Sequence, residues 1–272
     1  MTITNFTARL LIAALGLVQA SVHAQGSTFN QAQLDALLAP VALYPDPLLS
    51  NILLASTHPD ELRDAAAWSR ANPQASGDEA VRAIEAMPWD PSVAALVALP
   101  DLLARMDETP QWTADLAAAY TGMEPSVMDT VQGLRQRAQA TGYLRSNDQY
   151  SVQQQGAALA VYPLQPQVVY APYYDPFVVY GRWWRPAYRP GYWRPWSAPP
   201  VFVSTSFFVS RVDWQRRHIV PGVPHRVFIQ NRVVPPHAHL QNPAVTVHDY
   251  IHQAQGARPI VQPLPPLLGP RR

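Results

Sequence analysis

The chain has 272 residues, 29 of them proline and none cysteine, and a formal net charge of +1. The absence of cysteine excludes disulfides, thiolate metal centres and a cysteine nucleophile. The small net charge conceals a division: all 20 cationic side chains are arginine, with 8 Arg against 16 acids in residues 1–150 and 12 Arg against 3 Asp in residues 151–272.

Residues 1–24 read as a secretory leader. Arg9 precedes a short apolar run, Leu10 to Val18, and Val22-His23-Ala24 places small residues at a cleavage point after Ala24. The run is too short to span a bilayer. The next longest, Pro40 to Ala55, is interrupted by Pro45, Asp46 and Pro47. The expectation is a periplasmic or secreted protein with no transmembrane segment after leader removal.

From Phe29 to Thr141 the apolar spacing is helical in short segments. Leu34, Leu37, Leu38 and Val41 form one stripe; Leu48, Ile52 and Leu53 a second; Ala80, Val81, Ile84 and Met87 a third. Val93, Leu96 and Val97 follow, then Trp112, Leu116, Ala119 and Tyr120, then Val127, Val131, Leu134 and Ala138. The breaks Asp46-Pro47, Pro59-Asp60-Glu61, Asp90-Pro91, Pro100-Asp101 and Glu124-Pro125-Ser126 each precede a stripe. Asp as N-cap and Pro at the first helical position suit such starts, so the acidity of this half is partly a property of helix beginnings.

After Gly142 the period changes. Tyr150 to Gln155 and Ala158 to Tyr162 flank Gly156 and predict a hairpin; Gln167–Tyr170 and Phe177–Tyr180 predict further strands. The fold class expected is mainly α: a compact bundle of short helices, a small β hairpin or sheet, and a partly disordered C-terminal region. In residues, that is a leader over 1–24, a helical domain over 25–145, a β segment over 146–181, a basic aromatic and proline-rich arm over 182–252 and a disordered tail over 253–272.

Four stretches resemble one family. They are Leu34 to Leu49 (LDALLAPVALYPDPLL), Met87 to Val93 (MPWDPSV), Val131 to Ala138 (VQGLRQRA), and Pro166–Tyr170 with Tyr174-Asp175-Pro176 and Val179-Tyr180-Gly181. In this order they resemble the bacterial domain-of-unknown-function 3300 family, over roughly Gln31 to Gly181. The resemblance implies an exported bacterial protein with a mostly helical domain and carries no catalytic residues. Beyond Gly181 the match is expected to fade.

Arg182 to Trp196 reads RWWRPAYRPGYWRPW. Its prolines favour extended geometry, and arginine can both stack on aromatic rings and fork onto phosphate or carboxylate. Arg182, Trp183, Trp184, Arg185, Arg189, Tyr192, Trp193, Arg194 and Trp196 are therefore candidates for contacting an anionic envelope component or an envelope protein. The competing reading is an arm whose Trp183, Trp184 and Trp193 are buried against the bundle. Phe202–Trp214 and Arg226–Val234 are expected strands, and the Pro-rich end reads as disordered.

Tyr44, Asp46, Trp89, Asp90, Tyr174 and Asp175 share an aromatic-Asp-Pro context and could form a carbohydrate cleft, with Asp46, Asp90 or Asp175 acting in cell-wall hydrolysis; the alternative is three element starts. His237, His239, His248 and His252 lie among prolines without a fitting ligand set, so no metal is expected. No cofactor fingerprint or nucleophile elbow is present. Nucleic acid is disfavoured by export. No motif fixes an oligomeric state. The leading expectation is a non-enzymatic protein of a Gram-negative envelope, with a helical docking scaffold and an Arg-aromatic contact region; a secreted assembly factor is a further alternative.

Overall fold

Proline decides where most of the helices begin. In the computed structural model, which describes residues 29–165, 167–191, 193–196, 200–203 and 210–221, six of the eight helices carry proline at the first or second position. The helices are α1 (Gln31–Leu38), α2 (Asp46–Ser56), α3 (Pro59–Ala71), α4 (Gly77–Ala83), α5 (Pro91–Leu96), α6 (Pro100–Glu108), α7 (Pro110–Ala140) and α8 (Pro176–Val179). The expected leader, the strand over Arg226–Val234 and the tail over 253–272 lie outside the described residues.

Each start has its own chemistry. Asn30 opens α1 with a reciprocal capping box to Gln33. Asp90 caps α5 through the Ser92 amide, and Asp175 caps α8 through the Phe177 amide. Asp46 departs from this pattern: Pro45 is the cap of α2, and the Asp46 carboxylate leaves the helix end altogether. The last two apolar stripes fall on one long helix, α7, bent at Met123 (φ −144°, ψ 36°) just before Pro125. A proline there has no N–H to give and its ring crowds the preceding turn, so the anticipated break survives as a kink.

α2 lies at the centre. Leu48, Leu49, Ile52 and Leu53 are fully buried, and the helix packs against α3, α5 and α7. Each such side chain contributes about 2 kcal/mol of burial, an upper bound because an unfolded chain already hides some surface.

The strands of the described residues form three two-stranded antiparallel ribbons. β1 (Tyr150–Gln155) pairs with β2 (Ala158–Pro163) in the expected hairpin, turning at Gly156 with φ +61°. β3 (Val168–Val169) pairs with β4 (Val201–Phe202), and β5 (Ser210–Asp213) pairs with β6 (His218–Pro221). Phe177–Tyr180, expected as a strand, is instead the short helix α8 and its cap. The β-branched residues favour a strand, but the Asp175-Pro176 start satisfies the first free amide and presets φ, and that local chemistry wins.

β2 is buried over Ala158 to Val161, although among the described residues it has a strand neighbour on one side alone. A buried strand edge must have its amides and carbonyls satisfied. Side chains from the helices do this. The Gln132 carboxamide of α7 accepts from the Leu159 N–H at 2.7 Å and donates to the Leu159 carbonyl at 3.2 Å, and Asp46 accepts from the Val161 N–H at 3.3 Å.

Candidate functional site

Among the described residues the largest fully buried side chain is a charged one, Arg135, which has no exposed surface. It sits on the apolar face of α7, between Val131 and Ala138, both fully buried. Its guanidinium donates to the carbonyls of Ala42 (2.8 Å), Tyr44 (2.9 Å) and Leu159 (2.8 Å), and to the Asp46 carboxylate at 2.6 Å. The other carboxylate oxygen of Asp46 accepts from the Trp214 indole at 2.7 Å, and the Trp214 ring lies 5.0 Å from the Arg135 guanidinium. Five segments therefore meet at one buried ion pair: the α1–α2 connection, α2, α7, β2 and the turn after β5. The β5–β6 hairpin is further held by the Ser210 hydroxyl, 2.6 Å from that of Ser50, and by Glu124, which accepts from the Ile219 amide and pairs with His218.

Beside this node stands a tyrosine triad. Tyr44 and Tyr174 meet edge to face at 5.6 Å, and Tyr174 and Tyr180 at 6.4 Å. Tyr174 and Tyr180 both donate to the Ala39 carbonyl, and Tyr44 donates to that of Pro172. Burial pushes the phenol of Tyr44 well above its ordinary value, with Tyr174 adding to the shift; burial likewise raises Tyr174 and Tyr180. An acid whose folded pKa is raised stabilises the fold fully below its unfolded value, about 10 for tyrosine, and that contribution is lost as pH rises from there through the raised folded value. The urea midpoint should therefore fall progressively as pH rises above about 10. The Tyr44→Phe/Tyr180→Phe variant should show a flatter decline; an unchanged slope would contradict a buried triad.

The arm runs outward from the triad and is anchored by α1. The Trp184 indole and Arg185 Nε both donate to Asp35, at 3.1 and 2.8 Å, and Asp35 itself is buried. The Arg137 guanidinium lies 3.6 Å from the centre of the Trp184 ring. Trp183 donates to the Tyr188 carbonyl. Further on, Gly191 donates its amide to Ala36, close enough to Trp112 that a side chain would touch the indole. Trp193 is buried against Trp112 at 4.8 Å and Trp196 at 5.9 Å, and Trp196 donates to the Ala171 carbonyl.

The arm residues singled out in the sequence therefore divide. Trp184, Arg185, Trp193 and Trp196 are spent on packing. Arg182 and Arg189 are exposed with no ion-pair partner among the described residues, Arg194 makes a weak, exposed contact with Glu108, and Trp183 is half-buried. Tyr192 lies outside the described residues.

The aromatic-Asp-Pro set is brought together in part. Tyr44, Asp46 and Tyr174 share the neighbourhood of the node, but Asp46 is 2% exposed with both oxygens engaged, so it offers no acid or base to a substrate. Asp90 accepts from Ser92 at the start of α5, where its amide donates to Glu61 and its carboxylate lies 3.7 Å from His58; the half-buried Trp89 precedes it. Asp175 is occupied in capping α8. None of the three contacts another in a hydrogen bond among the described residues. No group of three His, Asp or Glu could hold a metal there either, and His237, His239, His248 and His252 lie outside them.

Arg135, Gln132, Trp214 and Asp35 were missed as sites. A signal existed for the first: a cation at the fourth position after Val131, on the cleanest apolar stripe of the chain, cannot face the core without a partner.

A mainly helical body, locked by a buried ion pair and wrapped by its own aromatic arm, is the class of architecture these residues define. The chain belongs to the family described as "Protein of unknown function (DUF3300)", whose model matches residues 30–248. The match extends well past Gly181, where it was expected to fade, and takes in the arm and the β5–β6 hairpin. That extension agrees with Trp214 reaching the central node. The chain is also 40% identical over 233 residues to the "Uncharacterized protein YacH" of Escherichia coli (strain K12), covering 69% of this chain. It spans 38% of that relative's length. No solved structure matches the chain.

Proposed function

We propose that the chain is an exported, non-enzymatic protein of a Gram-negative envelope, in which the helical body is a docking scaffold and the arm contacts an anionic envelope surface or polymer. One observation carries this reading: the arm is fixed to the body by Trp184, Trp193 and Trp196, while Arg182 and Arg189 are left exposed, with no ion-pair partner among the described residues. Arginines held out by a rigid backing lose little freedom on meeting phosphate or carboxylate, and their fork geometry suits both. Between Asp175 and Trp196 the chain has four arginines and one acid, and that acid is engaged in capping α8. The leader-like pattern of residues 1–24, Arg9 before an apolar run and small residues around Ala24, supports export.

Salt provides the test. Purified mature chain, beginning at Gln25, should co-sediment with anionic vesicles or wall fragments at low ionic strength and be released at high ionic strength. The Arg182→Gln/Arg189→Gln variant should lose most of this binding. Equal retention at both salt concentrations, or none at either, overturns the reading.

A further inference from the structure

Exposed rings and exposed cations occur together where α8 meets the start of the arm. Phe177 and Val178 of α8 are 49% and 47% exposed, and Tyr188 is 38% exposed. They are neighbours in space as well as in kind. Phe177 lies 6.4 Å from Trp183, and Trp183 donates its indole N–H to the Tyr188 backbone. Arg182 and Arg189 adjoin Trp183 and Tyr188 in the chain and are exposed. A short helix opened by Asp175 and Pro176 thus holds Phe177 and Val178 outward, while Val179 and Tyr180 are buried beneath them.

We infer that this patch, formed by Phe177, Val178, Trp183 and Tyr188 with Arg182 and Arg189, seats the protein on the surface of an anionic lipid bilayer. The inference rests on the reading of the arm as an anionic-surface contact and names the lipid interface as its partner. Charge complementarity argues for this occupant, since two exposed arginines without acidic partners among the described residues suit lipid phosphates. The rings argue for lipid over a purely polar polymer. Aromatic side chains with a polar edge favour the headgroup level, and apolar Phe and Val gain by entering the acyl boundary, which a sugar or phosphate chain does not offer. No helix among the described residues is long and apolar enough to cross a membrane, so contact of this kind would be peripheral.

The experiment compares vesicles with a lipid-free polyanion. Full mature chain is sedimented with phosphatidylglycerol/phosphatidylcholine vesicles and, separately, assayed for retention on immobilised polyphosphate. A second set of vesicles carries brominated acyl chains, which quench tryptophan fluorescence at the depth of the bilayer boundary. The expected result is vesicle binding with quenching, the quenching being reduced in Trp183→Phe. Phe177→Ser/Val178→Ser should lower vesicle partitioning about tenfold, because two half-exposed apolar side chains no longer enter lipid, and leave polyphosphate retention unchanged. Arg182→Gln/Arg189→Gln should lower both. Circular dichroism of the Phe177→Ser/Val178→Ser variant checks that the body stays folded. Retention on polyphosphate together with vesicle binding that is unquenched and indifferent to Phe177 and Val178 overturns the lipid inference and leaves the anionic contact standing. Binding to neither probe overturns both.

Discussion

Replacing Arg135 by alanine is expected to cost about 3–5 kcal/mol of folding stability. That is a large share of the 5–15 kcal/mol that holds a typical domain. The cost comes less from losing an attraction than from what is left behind. Asp46 would be left 2% exposed without its cationic partner, and the carbonyls of Ala42, Tyr44 and Leu159 would each lose a donor. Trp214 would keep its bond to Asp46 but lose the guanidinium 5.0 Å from its ring, so the β5–β6 hairpin should become more sensitive to protease. Urea denaturation of the variant measures the loss. The partner change Asp46→Asn removes the charge while keeping shape and one acceptor. Combined with Arg135→Met it should be less damaging than the sum of the two single changes by at least about 1 kcal/mol, since the residues touch. An Arg135→Ala cost below about 1 kcal/mol would mean that water reaches the pair.

The node also explains why charges are kept in a core where leucines would pack as well. A buried ion pair is seldom a net gain against apolar residues of the same size. Here the alternative is not a clean apolar core, because β2 has an inner edge whose polar groups have no strand to pair with among the described residues. Gln132, Arg135 and Asp46 take the place of that strand. Two of the stretches that carry the family resemblance, Leu34–Leu49 and Val131–Ala138, meet at this point, and Tyr174 and Tyr180 from the fourth stand beside it. The motifs are thus coupled by the demand of one buried strand edge.

What the sequence made legible was local. Apolar spacing and Asp-Pro or Pro-Asp punctuation marked α1, α2, α5 and both halves of α7, because those signals act within one turn of helix. Gly156 between two β-rich runs marked the β1–β2 hairpin for the same reason. Phe177–Tyr180 was misread because its residue types were weighed above the start signal standing directly before them. The non-local facts were out of reach: Asp35 and Arg185 lie 150 positions apart, and Asp46 and Trp214 lie 168 apart. Nothing in either neighbourhood names the other. The arm illustrates both limits. Its residue types fit packing and binding equally, and the division between Trp184 or Trp193 and Arg182 or Arg189 follows from where α1 and α7 run beneath it.

That division yields the second large effect. Trp193→Ala is expected to cost about 3–5 kcal/mol, as for any large aromatic removed from a core. The ring is 3% exposed and packs edge-on against Trp112. Arg182→Gln and Arg189→Gln, 11 and 4 residues away, should stay within about 0.5 kcal/mol of the parent, because both side chains are exposed and have no ion-pair partner among the described residues. Phenylalanine separates ring from hydrogen bond. Trp112 donates its indole N–H to the Leu37 carbonyl at 2.9 Å, whereas that of Trp193 is buried without an acceptor among the described residues. Leaving a buried carbonyl short of its donor costs about 1–3 kcal/mol, while removing an unpaired N–H relieves a penalty. Trp193→Phe should therefore be the milder change and Trp112→Phe the harsher, as read from urea midpoints of the two variants. The opposite order would mean that Trp193 holds an acceptor in solution. Undocking should also reach function at a distance: Trp193→Ala frees the backing of the arm, so anionic binding should weaken although the indole itself meets no ligand. If Trp193→Ala instead binds as the parent does while its stability falls, the arm needs no rigid support to make its contact.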